Sequence, residues 1–250
     1  MSRRPRKRLD VRLAELGLAP SRARAQALIL AGKVRVDGVR VSKAGTQVGP
    51  EARIELDTPD HPFVSRGALK LEAALDAFAI DPAGLDCLDV GASTGGFTDL
   101  LLSRGARRVI ALDVGRGQLD WKLRTDPRVT VMEGINARHL GPGDLPYPVQ
   151  LAVVDVAFIS LKLVVPAILP HLLPGGRLVC LVKPQFEAGR EQVGRGGIVR
   201  DEAVRRTVID GTVTALAGLG LELLGVVPSP IHGQKGNLEE LAAFRLPDAR

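Results

Sequence analysis

Cysteine and aromatic residues are scarce in this chain of 250 residues, and each scarcity excludes something. Cys87 and Cys180 lie in apolar runs and read as small buried hydrophobes, too few and too far apart for a disulfide framework or a cysteine metal site. His61, His139, His171 and His232 are scattered among carboxylates without ligand spacing, so no metal is expected. No apolar run reaches the ~20 residues that a membrane span needs. The first residues, Met1–Arg8, are basic, and amphipathic rather than purely apolar sequence follows them, so no signal peptide is expected and the expected location is cytoplasmic. At 45% hydrophobic residues the chain can still build a sizeable core, which argues against global disorder.

What is present is unevenly distributed. Residues 1–60 hold 13 Lys/Arg against 7 Asp/Glu, whereas residues 61–250 hold 21 of each, so the whole net charge of +6 sits in the first quarter. A basic module in front of a neutral body points to a polyanionic partner. Arg8-Leu9-Asp-Val-Arg12-Leu13 begins a short amphipathic helix that should end at Gly17. Ser21 should cap a second helix reaching Ala31, with Gly32 just beyond it. Arg22 and Arg24 fall in its first turn, where exposed N–H groups favour a phosphate. Lys33–Val36, the turn Asp37-Gly38 and Val39–Val41 form a hairpin, and Arg53–Leu56 closes a small sheet. No aromatic residue precedes Phe63, so recognition by base stacking lacks its platforms and contacts should run to phosphates and helix shape.

The run Arg8-Leu-Asp10, Leu13, Gly17, Ser21-Arg22, Ala25, Leu28-Ile29, Gly32, Val34 and Val36-Asp-Gly38 resembles the RNA-binding domain of the ribosomal protein S-four type. The resemblance implies binding to structured RNA through the two helices and the loop before the hairpin. Arg4, Arg6, Lys7, Arg8, Arg12, Ser21, Arg22, Arg24, Lys33, Arg35 and, further on, Arg66 are its candidate contacts.

From residue 61 onward, β-rich apolar runs alternate with amphipathic ones. Leu85–Val90, Arg108–Asp113, Val129–Met132, Leu151–Asp155 and Leu178–Lys183 read as strands, with helices such as Phe97–Arg104, Ser160–Leu169 and Asp201–Leu219 between them. This alternation predicts an α/β fold with an open, doubly wound sheet whose ligands bind beyond the carboxyl ends of the strands. The first strand runs into Asp89-Val-Gly91-Ala92-Ser93-Thr94-Gly95-Gly96-Phe97. Its glycine order matches neither the dinucleotide nor the P-loop pattern. Asp113, closing the second strand, can accept both hydroxyls of an adenosine ribose, with Val114 beside it. Asp89 suits a cationic sulfonium better than a pyrophosphate. Asn136 and Ala137 follow the third strand near an adenine edge, and Asp155 and Phe158 follow the fourth. This set favours S-adenosylmethionine over NAD.

Lys70, Asp155, Lys183 and Glu239 complete the pattern. A lysine closing an apolar strand, as Lys183 does, is costly to bury unless paired or functional. The four resemble the Lys/Asp/Lys/Glu tetrad of FtsJ/RrmJ-type ribose 2′-O-methyltransferases. Together with Val64-Ser-Arg-Gly67, Gln118-Leu119, Asn136-Ala-Arg138, Asp155-Val-Ala-Phe-Ile-Ser160, Val182-Lys-Pro-Gln-Phe-Glu187 and Gly236-Asn-Leu-Glu239, the chain is similar to the TlyA family throughout its length. The resemblance implies a Rossmann-like S-adenosylmethionine-dependent methyltransferase domain at 65–250, a small α+β RNA-binding domain at 1–58 and a linker at 59–64. It implies 2′-O-methylation of a cytidine in ribosomal RNA, with Lys183 acting on the hydroxyl, Asp155 holding that lysine, and Lys70 and Glu239 positioning the ribose. Glu240, next to Glu239, competes for the fourth place. The end of the chain at Arg250 resembles the class acting on large-subunit RNA, small-subunit RNA being the alternative. A membrane-active hemolysin, the family's other name, and an RNA-binding assembly factor without catalysis are the competing readings. No membrane or obligate protein partner is expected.

Overall fold

A computed structural model describes residues 6–19, 21–56, 61–194, 196–233 and 236–248, which fall into two compact units, 1–62 and 63–250. Arg4 lies outside the described residues, as do residues 59 and 60 of the expected linker.

In the first unit β1 (Lys7–Arg8) leads into α1 (Leu9–Glu15), and α2 (Arg22–Leu30) follows. The Ser21 hydroxyl accepts the Arg24 backbone N–H at the start of α2, and Gly17 and Gly32 take the left-handed conformation just past each helix. β2 (Val34–Val36) and β3 (Val39–Arg40) pair antiparallel across Asp37 and Gly38, whose φ of 51° and 79° give the twist a two-residue hairpin needs. β4 (Gln47–Val48) pairs with β1, and β5 (Ile54–Leu56) adds to β2. Leu9, Leu13, Ala25, Ile29 and Val34 form the fully buried centre.

The second unit opens with α3 (Gly67–Ala77) and continues β6 (Asp86–Val90), α4 (Gly96–Ser103), β7 (Arg108–Asp113), α5 (Trp121–Arg124), β8 (Val129–Glu133) and β9 (Val149–Val154). Then come α6 (Leu161–Ile168), β10 (Leu172–Val182), α7 (Pro184–Glu187), α8 (Glu202–Ala217), β11 (Glu222–Pro228) and β12 (Glu240–Arg245). They build a seven-stranded sheet in the order β11-β12-β10-β9-β6-β7-β8. Neighbours from β10 to β8 are parallel, while β12 runs antiparallel to both its neighbours. The sheet is therefore parallel except for one strand near an edge. The chain reverses its winding between β6 and β9, where a crevice opens beyond the carboxyl ends.

Strand side chains alternate between two buried layers. Leu88, Val90, Ala152 and Val154 pack with α6 and α8, whereas Cys87, Val109, Leu151 and Val153 pack with α3 and α4. Cys87 and Cys180 are both buried and free, and burial pushes the Cys87 thiol up to about 12. Among the described residues no helix is long and apolar enough to cross a membrane.

Candidate active site

The site begins at the glycine loop after β6. Gly91, at φ 85°, would place a Cβ only 2.3 Å from the Asp155 carbonyl oxygen, so the backbone after β6 rests directly on the end of β9. The loop is pinned on its other side by Asp113, whose two carboxylate oxygens accept Ser93 N–H at 2.7 Å and Gly115 N–H at 2.6 Å. Each oxygen keeps a further lone pair. A cavity of about 700 Å³ opens there, of the size that holds a nucleoside-containing ligand. Gly91, Ser93, Asp113, Val114, Asn136, Ala137, Asp155 and Phe158 line it, all expected from the sequence. Ala92, Thr94, Gly96 and Phe97 line a smaller adjoining cleft that shares Gly91, Ser93 and Asp155. The Asn136 side chain accepts the Arg138 N–H and so caps the turn at Ala137–His139.

Gly95 and Asp89 line neither space. Gly95 sits at the cap of α4, where a Cβ would collide with Leu123. Asp89 has no exposed surface, because it faces α4 rather than the cavity: its Oδ2 accepts both Thr98 N–H and Thr98 Oγ1–H, at 2.9 and 2.7 Å. Its Oδ1 is buried without a partner among the described residues, and burial, opposed by the Thr98 bonds and reinforced by Asp155 and Asp113, pushes the carboxyl up to about 7. Asp89, expected beside the sulfonium, is a buried acid behind the loop.

The four expected catalytic residues come together as two ion pairs. Lys183 Nζ lies 2.5 Å from Asp155 Oδ1, joining the ends of neighbouring strands β10 and β9. Lys70 Nζ lies 2.6 Å from Glu239 Oε2, joining α3 to the residue before β12, with both side chains nearly inaccessible at 11% and 2% exposed. Gln185 Nε2, two residues past Lys183, donates a long bond of 3.4 Å to Glu239 Oε1. Glu240 points elsewhere: it enters β12 and meets Arg206 at 3.8 Å. This alternation decides between the two glutamates in favour of Glu239 as the partner of Lys70.

Sequence reasoning missed several wall residues. Phe186 pairs with the 87% exposed Phe158 at 5.0 Å between ring centroids, and Gln118 accepts the Ser93 hydroxyl at 3.3 Å. Glu187, half-buried and with its carboxyl shifted up by that burial, accepts Ser160 Oγ–H at 2.6 Å and Leu161 N–H at 2.7 Å, fixing the Asp155–Ser160 wall at the start of α6. The matched segments Gln118-Leu119 and Val182–Glu187 contained these residues, but spacing alone gave them no role.

The sequence matches the FtsJ-like methyltransferase family over residues 63–246 and the S4 domain over residues 7–54. The chain belongs to the FtsJ-like methyltransferase family. It is 48% identical to the 16S/23S rRNA (cytidine-2′-O)-methyltransferase TlyA of Mycobacterium tuberculosis, over 94% of this chain and 88% of that one. It is also 41% identical to Hemolysin A of Brachyspira hyodysenteriae, over 95% of this chain and 99% of that one. A solved structure from Streptococcus thermophilus, at 42% identity, superimposes with a TM-score of 0.76 over 98% of this chain and 90% of its own.

In the S4 domain the expected RNA contacts are sorted by their partners. Arg6, Lys7, Arg8, Arg22, Arg24 and Lys33 are exposed. Lys7 pairs with Glu15 at 2.6 Å, and Arg12 lies 3.5 Å from the same residue. Arg35 donates to the Gly38 carbonyl at 3.2 Å, closing the hairpin. Ser21 is used as a helix cap. Arg66 is exposed in the other unit, just before α3.

Proposed function

We propose that this methyltransferase transfers the methyl group of S-adenosylmethionine to the ribose 2′-hydroxyl of a cytidine in ribosomal RNA, in the cytoplasm. The Lys183–Asp155 ion pair at the mouth of the glycine-loop crevice carries this reading. When bound, S-adenosylmethionine supplies a methyl carbon activated by a sulfonium that leaves as a neutral thioether. The cavity residues suit that group: Asp113 offers free lone pairs to ribose hydroxyls, Asn136 and Ala137 border the adenine position, and Gly91 lets the loop lie against the end of β9 beside the cavity.

Lys183 Nζ takes or orients the proton of the 2′-hydroxyl, which finally passes to water. Asp155 fixes that nitrogen at the end of β9 and borders both spaces, so it stands where hydroxyl and methyl must meet. Lys70 and Glu239 hold the ribose side and, through Gln185, steady the segment that carries Lys183. Alignment for in-line attack, rather than strong base chemistry, supplies much of the rate. The S4 domain brings the RNA, as an S4 domain beside a cytidine-2′-O-methyltransferase relative supports. Lys183→Ala is expected to abolish methyl transfer to ribosomal subunits while S-adenosylhomocysteine still binds with near wild-type affinity by calorimetry. Activity close to wild type would remove Lys183 from its assigned role.

A further inference from the structure

Asp10 is the one charged residue of the S4 domain's described residues that is fully buried. Its Oδ1 accepts Arg8 Nε–H and Val11 N–H, both at 3.0 Å. Its Oδ2 accepts Arg8 Nη2–H at 3.1 Å, Arg22 Nε–H at 3.0 Å and Gln26 Nε2–H at 2.7 Å. The arginine beside it, then the glutamine and the second arginine, hold this carboxyl far below the usual carboxylate range. The partners come from three places: the strand before α1, and positions 22 and 26 on α2.

A buried carboxylate needs such partners, but the arginines do not need to be so exposed to serve it. The side chains of Arg8 and Arg22 remain 44% and 56% accessible. Asp10 takes Arg22 only through Nε, leaving both Nη groups unused by it, and leaves Nη1 of Arg8 likewise. Arg22 also stands in the first turn of α2, where unpaired N–H groups and the helix dipole favour an anion.

We propose that Asp10 is a positioning residue: it fixes Arg8 and Arg22 side by side so that their outer N–H groups meet phosphate oxygens of RNA in a preset geometry. This rests on the reading of the S4 domain as the RNA-binding part of the enzyme. Two arginines frozen before RNA arrives lose little further freedom on binding. The consequence runs against simple charge counting. Removing the negative charge of Asp10 makes the domain more basic, yet it should weaken the grip.

The test uses full-length protein and separated ribosomal subunits from cells lacking the enzyme, with binding measured across a potassium chloride series. Asp10→Asn is expected to bind about tenfold more weakly and to lower the salt slope by about one to two, as lost phosphate contacts do. Arg22→Ala should do the same, and the double variant should be no weaker than the weaker single one, since both act on one contact. Arg22→Lys, which keeps the charge and cannot be held by the same fork, should also bind weakly. Wild-type amide hydrogen-exchange protection in α1 and α2 reports that the first unit of each variant is folded, since that unit is compact by itself. Wild-type or tighter binding by Asp10→Asn, with Arg22→Ala weakened, overturns the positioning role alone. An additive loss at unchanged slope, or wild-type binding by Arg22→Lys, overturns it as well. Wild-type protein that shows no salt-dependent binding overturns both the role and the RNA-binding reading.

Discussion

The Lys70–Glu239 pair allows a worked prediction that separates stability from catalysis. Both side chains are nearly out of water, and their 2.6 Å contact is boxed in: a Cβ at Gly233 would lie 2.0 Å from Glu239 Oε1, so the carboxylate has little room to swing away. Removing one partner leaves the other charge buried and uncompensated, at a cost of about 3–5 kcal/mol. Lys70→Met and Glu239→Gln should each destabilise the second unit by that amount, about 1–2 M in urea midpoint for a slope of ~2–3 kcal/mol/M. The double variant Lys70→Met/Glu239→Gln removes both charges and should recover most of the loss, keeping a deficit of about 1–2 kcal/mol and so giving a coupling of about 4–9 kcal/mol. Trp121, the one tryptophan of the chain, lies in the second unit, so its emission follows that unit. All three variants should transfer methyl groups far more slowly than wild type, the recovered double variant included. Single variants within about 0.5 kcal/mol of wild type, or losses that simply add, would refute the buried-pair reasoning.

Other expectations follow from the same geometry. Gly91→Ala combines a strained φ of 85° with a Cβ pressed on the Asp155 carbonyl, so it should cost about 2 kcal/mol or more and weaken S-adenosylhomocysteine binding at least about tenfold by calorimetry. Asp89 has its carboxyl raised to about 7 in the fold, so its contribution favours folding below about pH 4 and is lost as pH rises through 7. The unfolding free energy of Asp89→Asn minus that of wild type, from urea titrations, should therefore grow between pH 4 and 8, towards an upper limit of about 4 kcal/mol; a flat difference would count against an uncompensated buried acid. Glu187→Ala frees the start of α6 and should lower kcat and cofactor affinity together, with a stability loss of about 1–2 kcal/mol in urea unfolding.

The parts of the fold that the sequence exposes are those set by local pattern. The parallel strands β6 to β10 are runs rich in Val, Ile and Leu, and the first-unit helices carry their stop signals at Gly17 and Gly32. β11 was hidden because Gly225 and Pro228 interrupt it; the structure absorbs Gly225 in a register shift, where a Cβ would strike Phe78. The reversed direction of β12 is a tertiary choice with no local mark. Lys183 stood out because a charge that closes an apolar strand needs a reason, whereas Glu239 rested on the resemblance to the Lys/Asp/Lys/Glu tetrad. The position of Asp89 could not be read from the loop motif, since it is the period-two alternation with Leu88 and Val90 that turns it toward α4. Asp10 was legible as part of a motif, yet its partners lie 12 and 16 residues away on another helix.

The most direct measurement is transfer of radiolabelled methyl from S-adenosylmethionine to separated small and large ribosomal subunits from cells lacking the enzyme. The account predicts label at a cytidine whose 3′ linkage resists alkaline cleavage, and the labelled subunit identifies the RNA. No label in either subunit or in naked ribosomal RNA, with cofactor binding confirmed, would contradict it.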